Sequence, residues 1–191
     1  SAILCTAPPE QAGRLRTLSQ GNPLVEIVEV PNRGRDIAPF VHLLNAGALD
    51  RFDVVLKVHT KKSPHLVAGD LRRRALFTAL AGSKRVSAAV LAQFRDPHVG
   101  LVGPAHYFRT RPVYWLANRE RVEAIAERMP APVRLGFFEG SMFWIRPAAL
   151  QRLRNLKLAT EEFEAEAGQT DGPLHHAVGR PITLPARAAG S

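Results

Sequence analysis

Asp53-Val54-Val55-Leu56-Lys57-Val58-His59 is the run that decides the fold. Its β-branched, mostly apolar residues read as a buried strand, and the polar, cationic Thr60-Lys61-Lys62-Ser63 follows at its carboxyl end. Working outward, stretches of strand length alternate with stretches of helical length. Residues 2–6 read as a strand stopping at Pro8-Pro9, 10–19 as a helix ended by Gly21-Asn22-Pro23, and 24–30 as an alternating strand. Residues 37–48 form an apolar helix after a Gly-containing loop. Beyond the central strand, 66–80 and 86–94 read as helices broken at Gly82-Ser83, and 99–103 as a strand. Helix 118–128, strand 136–145, helix 147–153 and short helices at 161–166 and 173–178 complete the pattern. This alternation predicts an α/β domain with a mainly parallel sheet over residues 1–180, followed by a fraying Pro- and Ala-rich tail at 181–191.

The chain has 191 residues, 46% of them hydrophobic, enough for one globular core. Its single cysteine, Cys5, excludes a disulfide framework and a cysteine-type zinc site. No run approaches the ~18 apolar residues of a spanning helix, and the chain does not begin like a secretory precursor. A cytoplasmic location is therefore expected. The net charge is +9 and unevenly spread. Residues 31–100 carry +7 and 101–160 carry +6, whereas 161–191 carry −3. A cationic middle followed by an acidic segment suits a protein that attracts an anion and then uses carboxylates. A basic surface with no ligand is the plain alternative, and nucleic acid the rival partner.

Four segments are unusually dense in chemistry-bearing residues. Asn32-Arg33-Gly34-Arg35-Asp36 lies between a strand end and a helix start, where open α/β sheets hold ligands and free N–H groups suit phosphate. Asp36 equally suits a helix cap. In Lys57-Val58-His59-Thr60-Lys61-Lys62-Ser63, strand alternation sends Lys57, His59 and Lys61 to one side, an arrangement for an anion. Phe137-Phe138-Glu139-Gly140-Ser141-Met142-Phe143-Trp144 is mostly core, but a glycine inside a strand weakens it unless backbone or ligand approaches closely. Glu139 beside it is a candidate acceptor for sugar hydroxyls. The last segment, 161–176, gathers Glu164, Glu166, Asp171, His175 and His176, candidates for a general base. Asp171 serves a turn as readily as a reaction, and the tandem histidines lack a third ligand at metal-binding spacing.

Four ordered blocks carry a resemblance. They are Pro31-Asn32-Arg33-Gly34-Arg35-Asp36-Ile37-Ala38-Pro39-Phe40, then Lys57 to Ser63, then Gly140-Ser141-Met142-Phe143-Trp144, and last Phe163-Glu164-x-Glu166-x-Gly168-Gln169-x-Asp171-Gly172. Together they resemble the rhamnan synthesis protein F family of bacterial polysaccharide-assembly glycosyltransferases. The resemblance implies a GT-A-like domain with a nucleotide-sugar crevice at the carboxyl ends of its strands. Asn32, Arg33, Arg35, Asp36, Lys57, His59, Thr60 and Lys61 would then bind the donor. Glu139, Gly140, Ser141, Trp144 and His175 would line the acceptor side, and Asp171 or Glu166 would deprotonate the acceptor hydroxyl in an inverting transfer.

The implied donor is a nucleotide sugar of the dTDP-rhamnose kind and the implied acceptor a lipid-linked glycan, with the basic surface resting on anionic headgroups. Many GT-A enzymes hold a magnesium or manganese ion on an Asp-x-Asp motif where Lys57 to Lys61 stand. This chain has no Asp-x-Asp, so fixed cations are expected to take over the diphosphate and no metal ligand is assigned. The chain also opens just after the expected first strand and helix, as a fragment would, and has Gly179-Arg180 where the family tends to show Glu-Arg. Two rivals stand beside this reading. A non-catalytic nucleotide- or glycan-binding module shares its residues, and a nucleic-acid-binding domain is disfavoured because no reader motif is present.

Overall fold

The computed structural model describes residues 1–60, 69–111, 118–128, 136–165 and 174–179. In chain order the elements are β1 (Ile3–Ala7), α1 (Pro9–Leu18), β2 (Val25–Glu29), α2 (Ile37–Asn45), β3 (Val55–Lys57), α3 (Gly69–Ala81) and α4 (Lys84–Gln93). There follow β4 (Leu101–Val102), β5 (Phe108–Arg109), α5 (Arg119–Glu127), β6 (Phe137–Phe138), β7 (Phe143–Ile145), α6 (Gln151–Asn155) and α7 (Leu174–Gly179). The result is mixed α/β.

The mainly parallel sheet expected from the alternation is corrected. Among the described residues only β1 and β2 pair in parallel, with α1 as the crossover that such a pair needs. The second sheet has the order β3-β7-β4, with β7 antiparallel to both neighbours, and β5 pairs antiparallel with β6. Residues 136–145 are two strands rather than one, because Gly140 and Ser141 adopt φ of +97° and +54° and break the run between β6 and β7. A left-handed pair is incompatible with a continuing pleat, so β6 joins β5 while β7 pairs between β3 and β4.

α2 is the hub of the core. Ile37, Ala38, Phe40, Val41, Leu43 and Leu44 are all buried, against Val122 and Ile125 of α5, Leu153 of α6 and Ala177 and Val178 of α7. The helix stops at Asn45 rather than at the expected residue 48. Gly47, at φ +71°, donates its N–H to Leu44, and Ala48 donates to Leu43, which together make a Schellman ending. Strand alternation then sorts the second sheet into two faces. Val55, Lys57, Phe143 and Ile145 look toward α2, where Phe40 meets Phe143 edge-on at 6.3 Å. Leu56 and Trp144 join the smaller cluster of Leu76, Leu80 and Met142 under α3.

Candidate functional site

The site is built around the turn between β6 and β7. β3 ends beside it, and Lys57, the last residue of that strand, is on the α2 face with its side chain 4% exposed. Its ammonium donates to Asp36 Oδ2 at 2.5 Å and to the Ser141 carbonyl at 2.8 Å. Phe40 and Phe143 present their rings to the same ammonium at 5.5 and 5.8 Å. His59 Nε2 lies 2.8 Å from the Gly140 carbonyl. A carbonyl can only accept, so that nitrogen carries the proton. The same nitrogen is 3.6 Å from Asp36 Oδ2.

Asp36 occupies the N-cap position of α2 but makes no side-chain cap. Its carboxylate turns to Lys57 instead. Burial pushes the Asp36 carboxyl up, and the charges of Lys57 and then His59 more than offset this, so it is held below the ordinary carboxylate value. The loop before it is locked in place. Gly34 and Arg35 have φ of +56° and +52°, and Gly34 packs so tightly that an added Cβ would lie 2.7 Å from Ala38 and 2.8 Å from Phe163. Arg33 donates to the carbonyls of Phe163 at 2.7 Å and Glu161 at 3.3 Å, and Gly34 N–H to that of Glu164. The first and fourth sequence blocks are therefore stitched together by backbone.

On the other side of the turn, Glu139 receives Arg72 of α3 on Oε1 and Arg109 of β5 on Oε2, the latter at 2.8 Å. Burial raises the Glu139 carboxyl, and the hydrogen bonds and charges of the two arginines outweigh it, leaving it lowered. Glu164 is likewise lowered against a burial effect. The backbone N–H groups of Glu164 and Leu174 and the Arg121 guanidinium favour its ionised form.

Asp36, Lys57, His59, Gly140 and Ser141 thus form one hydrogen-bonded cluster, with Gly179 at the end of α7 close to the Ser141 hydroxyl. Asn32, Arg35 and Thr60 are exposed around it, while Arg33 is committed to the 161–163 backbone. Trp144 points away, its indole donating to the Leu80 carbonyl at 3.0 Å, and His175 is buried in α7. Lys61, Glu166 and Asp171 lie outside the described residues. Arg72 and Arg109 escaped the sequence reading because nothing in Leu71-Arg72-Arg73-Arg74 distinguishes the arginine that turns inward. Among the described residues no group of three or more His, Cys, Asp or Glu is placed to hold a metal ion. The Lys57 ammonium against Asp36 also repels a divalent ion there.

The family model for rhamnan synthesis protein F matches residues 3–190. The chain belongs to the rhamnan synthesis protein F family. Two proteins from two strains of Xanthomonas campestris pv. campestris, each described as uncharacterized protein WxcX, are 39% identical over 168 residues. Those alignments cover 86% of this chain and 24% of each relative, so this member of the rhamnan synthesis protein F family spans about a quarter of their length. No solved structure matches it. Family membership implies involvement in rhamnan or related polysaccharide synthesis. Among the described residues no single helix is long and apolar enough to cross a membrane.

Proposed function

We propose that the chain is a glycosyltransferase domain of bacterial cell-surface polysaccharide synthesis, transferring a sugar, rhamnose in the leading case, from a nucleotide sugar to a lipid-linked glycan. The observation that carries this reading is the convergence of Asp36, Lys57, His59 and the Gly140-Ser141 turn. These blocks lie 21 and 84 residues apart from Lys57 in sequence and meet in one cluster at the carboxyl end of β3. Strand ends of α/β domains are where such ligands bind. The reading carries a GT-A relationship as a further expectation, in keeping with an antiparallel β7 set between two strands that run in the same direction.

In this reading the cluster is scaffold as much as contact. Lys57 and Asp36 neutralise each other, and their pairing holds the Ser141 carbonyl and, through His59, the Gly140 carbonyl. That fixes the rim on which a sugar would rest. Asp171 or Glu166 is the proposed base, removing the acceptor proton as the anomeric carbon is attacked from the face opposite the leaving nucleotide. The domain would act at the cytoplasmic face of the membrane, its basic surface against anionic lipid headgroups.

Incubating the 191-residue chain with dTDP-rhamnose, other nucleotide sugars and a lipid-linked oligosaccharide tests this. Release of nucleoside diphosphate with glycan extension, lost in Asp171→Asn or Glu166→Gln, is the expected result. Saturable nucleotide-sugar binding without turnover in any acceptor mixture would instead establish a binding module.

A further inference from the structure

Arg72, Arg109 and Glu139 form a second polar constellation on the far side of the same turn, which the reading above leaves without a role. Two guanidinium groups meet one carboxylate, and each of the three side chains keeps some contact with solvent, at 22%, 22% and 36% exposure. Arg72 is held in place by the Tyr107 ring, 5.2 Å from the guanidinium carbon. Its Nε is buried and has no acceptor among the described residues. A guanidinium is planar and binds oxyanions through a fork of parallel N–H groups. Here one carboxylate is divided between two guanidinium groups: Arg109 gives it one terminal nitrogen and donates with the other to the carbonyls of His106 and Phe108, and a buried donor of Arg72 is left unmatched.

We propose that Arg72 and Arg109 are a diphosphate-binding clamp and that Glu139 is its internal placeholder, an anion of the chain itself that the ligand displaces. Two phosphoryl groups offer enough oxygens to serve the Arg72 fork, its unmatched Nε and the Arg109 nitrogen that Glu139 now holds, and their charge matches two cations better than one carboxylate does. Glu139 stands on the turn and is the most exposed of the three, so its carboxylate can swing into water while its backbone continues to anchor β6 and β7. No bond is made or broken in this exchange. Lys57 offers no comparable site, because its charge is already engaged by Asp36 and it is buried.

The choice of a diphosphate rests on the transfer reading, since both a nucleotide-sugar donor and a lipid carrier bear that group. The oxyanion clamp does not depend on it. A carboxylate that only lines an acceptor site can be neutralised with little effect on pyrophosphate affinity, whereas one that occupies the phosphate site predicts a clear gain, and this is what makes the proposal testable.

Calorimetric titration of the 191-residue chain with sodium pyrophosphate, thymidine diphosphate and farnesyl diphosphate provides the test. Glu139→Gln should tighten pyrophosphate binding by about tenfold, and Arg72→Gln and Arg109→Gln should each weaken it by tenfold or more, roughly the worth of a charge-assisted hydrogen bond. Arg72→Lys, which keeps the charge but not the fork, should fall between wild type and Arg72→Gln. A gain of affinity in Glu139→Gln cannot arise from misfolding. Tighter binding of thymidine diphosphate than pyrophosphate assigns the clamp to the donor, and tighter binding of farnesyl diphosphate assigns it to the lipid carrier. If pyrophosphate shows the full pattern and neither organic group adds affinity, the clamp stands and the transfer reading fails. If thymidine diphosphate binds wild type and all these variants alike, the transfer reading stands and the clamp is overturned. Pyrophosphate binding that is absent, or that is unchanged or weakened in Glu139→Gln, also overturns it.

Discussion

Lys57 Nζ lies 2.5 Å from Asp36 Oδ2 across a gap of 21 residues in sequence, and the same ammonium holds the Ser141 carbonyl. One cation therefore joins the start of α2, the end of β3 and the turn before β7. The lysine side chain is 4% exposed and the aspartate 19%, so the two partners are unequal in what they risk when the other is lost.

Asp36→Asn is expected to destabilise the fold more than Lys57→Met. The first leaves a buried ammonium without its counter-charge, a loss of about 3–5 kcal/mol in comparable buried pairs. The second removes the charge that is costly to bury and keeps an unbranched chain against Phe40 and Phe143. Urea unfolding of both single variants and the double variant measures this, with a coupling of about 2–3 kcal/mol expected. Additive effects would mean the pair is not a structural unit.

Acid should expose the same interaction. In the folded chain Asp36 is held below its ordinary value of 3.8, so its contribution is fully present above that value. As pH falls below about 4 the unfolded state takes up a proton first, and the contribution is lost progressively until the folded carboxyl also protonates. Stability measured from pH 7 down to 2.5 should fall, and Asp36→Asn should flatten that limb, leaving the slope due to the other lowered carboxylates, Asp70, Glu139 and Glu164 among them. An unaltered slope in the variant would contradict the assignment.

Gly34→Ala is expected to cost about 2–4 kcal/mol, combining a left-handed backbone penalty with overpacking. The new methyl would meet Ala38 at 2.7 Å and the Phe163 side chain at 2.8 Å, neither of which is the loose end of a flexible chain. Thermal unfolding decides it. A loss under 1 kcal/mol would show that the 31–36 loop is not wedged against Phe163 as described.

Gly140→Ala addresses the site rather than the core. Its φ of +97° is strained for any L side chain, and the added methyl lies 3.2 Å from Leu76. Relief moves the Gly140 carbonyl off His59 and the neighbouring Ser141 carbonyl off Lys57. Sugar transfer should drop by up to about a hundredfold, the order expected when a positioning group is displaced by an ångström, while the melting temperature falls by only a few degrees. Equal losses of both would identify the turn as scaffold alone.

Much of this was legible in the residues. The strands at β1, β2 and β3 and the helices flanking them follow from apolar runs punctuated by Pro8-Pro9, Gly21-Asn22-Pro23 and Gly82-Ser83, because those signals act within a few residues. The interruption at Gly140-Ser141 was visible as an oddity inside an apolar run. Its consequence, two strands that join different sheets, was not, since which strands pair depends on tertiary packing.

The sequence alone determined an α/β chain of this family, a cationic middle and the blocks that carry its chemistry, since periodicity and motif order are local properties. Tertiary structure decided which charges are available. Lys57 looked like an open anion ligand and is a buried partner of Asp36, whereas Arg72, anonymous in a run of three arginines, turns inward to Glu139. Burial and pairing are set by residues 21 to 67 positions away, through packing of α2 and α3 on opposite faces of one short sheet, and no local signal encodes that.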